Sequence, residues 1–440
     1  MRAVSLFSNC GAGDIGFRRA GFRFDVLAEI DARRLAVAQL NHPEATAVPG
    51  DLRTTWRLVV KRYRELAGDD RPALLSACPP CQGMSSVRHD RGPEQDADAG
   101  ARDERNLLVV PIAKVAKALR PRVIVVENVP AFLTKLVRDP ATGKSISAAR
   151  LLIAALNRDY EVFPILCDLA DYGVPQTRKR AFLTFLRRDE KGGSPMLAHG
   201  WSPYPRPSHC GRRVHMTVSN ALSRAALPRL DARRSASASD SFRPLHFVPV
   251  WDLRRYTMVA EIPRNTGRSA WENSRCPNCA KRVDCANAAR CPACKSVLLR
   301  PIVRRPNGTV RLINGFRTSS YRRMHPDRPS PTITTASGNL GSAYTIHPSE
   351  NRVLSPLECG ILQTFPASFR WGKTLQQFGG GIVRDMIGEA VPPLFTEKHG
   401  KMLVKVLSKT TIQVALSTGD KRCSRAVQLL SKKPRLTGRE

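Results

Sequence analysis

Short apolar runs alternate with helically spaced segments through the first part of the chain. Residues 4–7 and 24–28 read as buried strands. Residues 74–77 and 123–126 follow, each at the end of a helix-like stretch. Residues 106–119 carry the clearest helical pattern, with Leu107, Val110, Lys114 and Ala118 at helical spacing and Arg120-Pro121 as a stop. Residues 162–167 and 180–186 extend the sheet on either side of a polar turn at 171–179. This β-α-β-α order predicts a parallel sheet covered by helices.

The pattern breaks twice. Residues 85–105 are polar and charged, and a loop of that length inside a compact domain is expected to be functional. From about Arg187 to Tyr321 the periodicity fades into Pro, Ser, Arg and Gly, which reads as an inserted domain. Regular patterning resumes near Thr332 and runs to about Leu394. From Lys401 onward the tail holds ten Lys/Arg and two acids, so +8, with one apolar stretch at 411–416. A basic arm and a helix end are both open readings of it. No internal repeat is visible.

Charge changes the picture. The 440 residues hold 71 Lys+Arg against 37 Asp+Glu, a formal +34. A surplus of that size draws a polyanion through phosphate contacts and counterion release. The competing explanation is an Arg-rich, basic proteome. The start of the chain is too short in apolar residues for a signal core, and no run of 18 apolar residues exists, so neither secretion nor a transmembrane helix is expected. A cytoplasmic location follows as the expectation. The 12 Cys then sit in reducing surroundings, and clustered Cys read as metal sites or chemistry.

Four strings carry candidate chemistry. Phe7-Ser8-Asn9-Cys10-Gly11-Ala12-Gly13 follows the first strand, where small residues let the backbone turn sharply and approach a ligand. Glu29 ends the second strand and Asp51 the third; acids at those places suit the ribose and base of an adenosine cofactor. An ordinary glycine turn is the plainer alternative. Ala77-Cys78-Pro79-Pro80-Cys81-Gln82 lies at a strand's carboxyl end. A redox pair would want a helix start there, and a zinc half-site would want a second Cys pair close by; neither is present. Glu127-Asn128-Val129 follows an apolar strand, so the Glu127 carboxylate is expected to hold a proton more readily than usual and to protonate a base nitrogen. A structural turn is the alternative. In Gln176-Thr177-Arg178-Lys179-Arg180, Arg178 and Arg180 point to one face of a strand; a solvated basic hairpin would read the same.

Together these strings, in this order, resemble the DNA cytosine carbon-5 methyltransferases of bacterial type. The match covers about 4–187 and 328–394, including Arg328-Pro329-Ser330-Pro331-Thr332-Ile333-Thr334 and Ile387-Gly388-Glu389-Ala390-Val391-Pro392-Pro393. The resemblance implies an α/β, Rossmann-like S-adenosylmethionine-dependent methyltransferase fold with a smaller inserted target recognition domain. It implies Cys81 as the nucleophile that adds to cytosine carbon-6, with Pro80 and Gln82 shaping its loop. Glu127 would hold or protonate ring nitrogen 3, Arg180 would bind the cytosine carbonyl oxygen, and Arg178 would support the site. Phe7, Gly11 and Ala12 would line the S-adenosyl-L-methionine loop, with Glu29 on the ribose, Asp51 on the adenine amino group, and Ile30 against the adenine. Pro80 and Glu389 would lie near the same cofactor. The target base must leave the duplex to be reached, with 85–105 closing over the DNA. Cys78 is expected to be an incidental neighbour of Cys81. Three positions depart from the family: Asn9 and Ala12 stand where Gly is usual, and Glu389 where Asn is usual. Asn tolerates a left-handed backbone, so the turn at Asn9 can survive; Glu389 bears on cofactor affinity.

The insertion carries its own signal. Cys276, Cys279, Cys291 and Cys294 form a Cys-x2-Cys-x11-Cys-x2-Cys array that suits a structural, tetrahedral zinc ion in a ribbon, with Cys285 as a substitute ligand. It would staple a domain poor in apolar residues and present Arg264, Arg268 and Arg275 to DNA. The expected division is a first catalytic part at 1–187, a recognition domain at 188–327 with its zinc site at 276–294, a closing catalytic part at 328–400 and a basic tail at 401–440. The expected partner is double-stranded DNA, with cognate restriction or defence proteins as candidates, and the expected state is a monomer. An RNA (tRNA) cytosine methyltransferase fits less well, because that branch has a small recognition region. An inactive DNA-binding regulator fits less well, because Cys81, Glu127 and Arg180 are all retained.

Overall fold

The computed structural model describes residues 1–80, 104–190, 196, 198–210, 214–313, 319–408 and 415–431. The chain opens with β1 (Arg2–Leu6), α1 (Ala12–Arg19), β2 (Arg23–Glu29), α2 (Ala32–Asn41), β3 (Thr46–Pro49), α3 (Leu52–Ala67), β4 (Leu74–Ala77), α4 (Val109–Leu119) and β5 (Val123–Asn128). A small hairpin, β6 (Leu136–Arg138) and β7 (Ser145–Ser147), leads into α5 (Ala148–Leu156), then β8 (Tyr160–Asp168) and β9 (Lys179–Arg187). Seven of these strands form one sheet in the order β3-β2-β1-β4-β5-β9-β8. The chain runs outward from β1 to β3, then returns to lay β4 on the other side of β1. The sheet therefore reverses direction between β1 and β4, and ligands of such sheets collect at the carboxyl ends of those strands.

The sheet is buried on both faces, which is why its strands read as apolar runs. Val4, Leu6, Val26, Leu75, Ile124 and Val126 pack with helices α3, α4 and α5. Ala3, Phe24, Leu74, Val123 and Val125 face the other way, onto Phe17 of α1 and Phe395, Met402 and Leu403 of the helix Pro393–Leu407. That helix crosses α1 at Gly16, where an added Cβ would stand 2.0 Å from Thr396 Oγ1 and 2.2 Å from Pro393 O. Only glycine permits this approach.

Two expectations need correction. The sheet is not wholly parallel, because β9 runs antiparallel to both β5 and β8. The short link across 169–178 leaves room only for a hairpin-type return. Nor is the described part of the tail a free basic arm. The helix Pro393–Leu407 runs through the expected boundary at 400. Strand Ala415–Ser417 pairs antiparallel with Trp201–Pro205, and the helix Lys421–Ser431 packs against the sheet through Cys423 and Ala426. Arg422 anchors that helix to Asp171. Trp201–Pro205 likewise belongs to the catalytic core, with Tyr204 buried and its hydroxyl donating to Phe163 O at 2.8 Å.

The inserted region packs around Trp251, Met258, Val259, Ile262 and Leu299, and Leu340, Ile346 and Val353 from beyond its expected end at 327 join the same core. Buried Arg323 knits it by donating to the carbonyls of Val259, Ile262, His347 and Glu350 and to Asn351 Oδ1.

Candidate active site

One continuous cleft of about 1570 Å³ opens at the carboxyl ends of β1, β2, β4 and β5. Ligand pockets commonly span roughly 300–1,000 Å³, so this cleft has room for a nucleoside-sized cofactor and a second base. Its two halves have different chemistry.

The first half is built on the loop after β1. Phe7, Asn9 and Gly11 adopt φ of 56°, 48° and 73°, so the chain turns back on itself within a few residues. Asn9, in place of the family's usual Gly, holds the left-handed conformation that its side chain tolerates. Its Nδ2 donates to Met386 O at 3.0 Å, while its Oδ1 is buried without a hydrogen-bond partner among the described residues. Phe7, Asn9, Ala12 and Gly13 line the cleft. Gly11 does not, contrary to expectation. It backs onto His42, where a Cβ would meet the ring at 2.9 Å, and its carbonyl contacts His42 Nε2 at 3.0 Å. Burial lowers the His42 pKa, so the ring is held neutral. Gly11 is there to make the turn.

Glu29 ends β2 with its carboxylate pinned by backbone donors: Asn9 N at 2.8 Å, Ile30 N at 3.0 Å and Asp31 N at 3.1 Å. Burial raises its pKa, and those donors oppose the rise. Asp51 caps α3 and is held ionised by Arg53, whose Nε lies 2.9 Å from Oδ2. Ile30 is 65 % exposed at the cleft edge. Glu389 sits on the opposite wall and is paired with Arg34 of α2. The departure from Asn therefore arrives with a compensating cation, which no local sequence pattern announces. The unpartnered Asn9 oxygen and the paired acids at successive strand ends fit an adenosine-bearing cofactor with donors of its own.

The second half is built on β4, β5 and β9. Glu127, 6 % exposed, is not an isolated carboxylate in apolar surroundings. Arg180 Nε lies 2.8 Å from its Oε1 as an ion pair, and the Cys78 thiol donates to its Oε2 at 2.8 Å. Asn128 Nδ2 holds Pro79 O at 3.0 Å, tying the start of the Pro-Pro-Cys loop to the end of β5. Pro80 lines the cleft beside Glu127 and Arg180. Cys81, Gln82 and nearly all of the 85–105 loop lie outside the described residues.

Arg178 shares the cleft wall and acts on the late motifs. Its guanidinium is buried and donates to Ile333 O at 3.2 Å and to Gly388 O and Ala390 O at 3.0 Å each. Gln176 joins it, accepting from Ile333 N at 3.0 Å and donating to Gln363 Oε1 at 2.5 Å. Arg178 thus clamps the two late motifs onto β9, and the late motifs complete the cleft. Sequence reading missed Asn128, Gln176, Gln363 and Arg34. The first two stood inside recognised strings; nothing local marks the others.

The four paired cysteines of the insertion converge: their sulfurs all lie within 4.8 Å of one another. Cys276 and Cys294 Sγ are 3.5 Å apart, Cys279 and Cys291 3.7 Å. Sulfurs on a tetrahedral zinc at ~2.3 Å would stand roughly 3.8 Å apart, so the set fits such an ion. Each pair closes an equivalent turn, with Cys276 N bonded to Lys281 O and Cys291 N to Ser296 O. Cys285 is exposed and outside the cluster. Arg300 binds the unit to its domain through the carbonyls of Asn273, Val283, Cys285 and Ala288. Arg264, Arg268 and Arg275 are exposed.

Comparison with known proteins adds an independent line. The family model described as C-5 cytosine-specific DNA methylase matches residues 1–405. Type II methyltransferase M1.HgaI of Avibacterium volantium is 27% identical over 403 residues, covering 90% of this chain and 95% of the relative. Type II methyltransferase M.DdeI of Desulfomicrobium norvegicum is 25% identical over 408 residues, covering 90% and 87%. Among solved structures, a DNA modification methyltransferase encoded within an E. coli prophage superposes with a TM-score of 0.54 at 21% identity, covering 93% of this chain and 99% of that one. That likeness concerns the fold.

Proposed function

The chain belongs to the C-5 cytosine-specific DNA methylases, and from that premise we propose how its cleft divides the labour of methyl transfer. As a member it is a DNA cytosine-5 methyltransferase that uses S-adenosylmethionine. When bound, that cofactor supplies an electrophilic methyl group. Asn9, Glu29, Ile30 and Asp51 would hold its adenosine part, with Phe7, Ala12, Pro80 and Glu389 around it.

The cytosine enters the second half. Carbon-5 is a poor nucleophile until a thiolate adds to carbon-6, and Cys81, one residue past cleft-lining Pro80, is assigned that addition. Glu127 holds the proton at ring nitrogen 3 as charge develops, and Arg180 binds the carbonyl oxygen. Arg178 keeps the late motifs closed over both halves. Loss of the carbon-5 proton then releases the thiolate. The observation that carries this reading is Glu127 at the end of β5, clamped by Arg180 in the same cleft as the cofactor loop. Both ring contacts are out of reach in a stacked duplex, so the base is flipped out, with 85–105 as the closing loop.

The +34 charge supplies attraction to double-stranded DNA. The recognition domain carries a structural zinc on Cys276, Cys279, Cys291 and Cys294, and presents Arg264, Arg268 and Arg275 to the duplex. The relatives are Type II methyltransferases, which supports a role in restriction–modification; a part in phage defence, a cytoplasmic location and a monomeric state complete the proposed reading. Among the described residues no helix is long and apolar enough to cross a membrane. Expression in a methylation-free host followed by genome-wide mapping of 5-methylcytosine tests the whole reading. One consensus, lost in Cys81→Ser, is expected. Unmodified DNA, or methylation that persists in that variant, overturns the assignment. Elemental analysis should find one zinc per chain.

A further inference from the structure

Cys78 was expected to be incidental, yet it touches the centre of the proposed chemistry. The β4–β5 ladder ends with Ala77 opposite Val126, and Cys78 and Glu127 are the residues that directly follow that pair. Side chains opposite one another on adjacent strands share a face. Cys78 Sγ lies 2.8 Å from Glu127 Oε2, while Arg180 holds Oε1 at 2.8 Å. Its backbone is fixed as well: Cys78 N donates to Leu6 O at 3.3 Å, and Asn128 holds the next residue, Pro79.

We propose that Cys78 is a positioning residue for methyl transfer, its thiol orienting the Glu127 carboxylate toward the flipped cytosine. Arg180 meets Oε1 as an ion pair without hydrogen-bond geometry, so this contact alone does not set the rotation of the carboxylate about its Cγ–Cδ bond. A donor on the second oxygen removes that rotation and sets the plane in which Glu127 meets ring nitrogen 3. A misplacement of about 1 Å in such a contact can cost on the order of 100-fold in rate. The thiol is a weak donor, so the loss expected here is smaller, roughly 10-fold.

This inference rests on Glu127 acting on the base, and the experiment separates the two. Single-turnover methylation and the dissociation constants for DNA and S-adenosylmethionine are measured for Cys78→Ala, Cys78→Ser, Glu127→Gln and Cys78→Ala/Glu127→Gln. Cys78→Ala should slow the methyl-transfer step roughly 10-fold with both dissociation constants unchanged. Cys78→Ser, which keeps a donor, should recover most of that rate. In the Glu127→Gln background, Cys78→Ala should cost nothing further, since coupled residues are non-additive. Full speed in Cys78→Ala, no recovery in Cys78→Ser, or a loss confined to binding would overturn the positioning role while Glu127 keeps its own. An active Glu127→Gln enzyme would instead remove the premise.

Discussion

Asp14 sits in the first turn of α1, 5 % exposed, with Ser5 Oγ donating to its Oδ2 at 2.8 Å. No cation pairs with it among the described residues' ion pairs. Burial raises its carboxyl from 3.8 to about 7, and the Ser5 bond only partly opposes this. An acid whose folded-state value exceeds its unfolded one binds its proton more tightly when folded. Stability is therefore lost as pH rises from about 4 to about 7, and the loss is complete above that window. A rise of this size corresponds to roughly 4 kcal/mol, of which about 3 kcal/mol falls between pH 5 and 8. Asp14→Asn keeps an acceptor for Ser5 and removes the titration. Denaturant unfolding of the cofactor-free protein at pH 5 and pH 8 should show the wild type losing about 3 kcal/mol that the variant retains. Parallel pH dependences would refute the assignment of a buried, protonatable Asp14.

Other perturbations follow from the same geometry. Gly388→Ala would place a Cβ 2.4 Å from Thr334 C and Thr335 N; backbone cannot yield cheaply, so a loss of at least ~1–3 kcal/mol in thermal unfolding and weaker S-adenosylmethionine binding by calorimetry are expected. Arg178→Met leaves the buried carbonyls of Ile333 and Gly388 without a donor, at about 1–3 kcal/mol each, while Gln363 still donates to Ala390 O. Arg178→Lys should rescue little, because one ammonium cannot span that fork. Extracting the metal with a chelator should expose 273–300 to proteolysis and weaken sequence-specific DNA binding while cofactor affinity, measured by calorimetry, stays intact.

Much of the fold was legible because the sheet is buried on both sides, which forces runs such as residues 74–77 and 123–126 to be apolar throughout. The antiparallel β9 was less legible, since strand direction depends on the length of the connection and not on the residues within the strand. The tail was half legible for a related reason: its apolar stretch at 411–416 stood out among ten cations, but nothing local showed what Ala415 and Leu416, or Cys423 and Ala426 of the last helix, would pack against. Those few buried side chains gain meaning only beside Trp201–Pro205 and β8.

In the site, the strings themselves named Glu29, Asp51, Glu127 and Arg180, because their chemistry requires particular side chains at strand ends. The Cys-x2-Cys spacing named the four-cysteine cluster for the same reason: two short turns bring each pair of sulfurs together. What tertiary structure alone decided is who touches whom. Arg34 meets Glu389 across 355 positions, Arg178 supports the site by clamping the late motifs, and Cys78 meets Glu127 just beyond the last pair of the β4–β5 ladder. Sequence determined the inventory of reactive groups and the strands that carry them, since both are local demands. The partners of those groups were set by strand order and helix packing, which bring together residues that no local pattern connects.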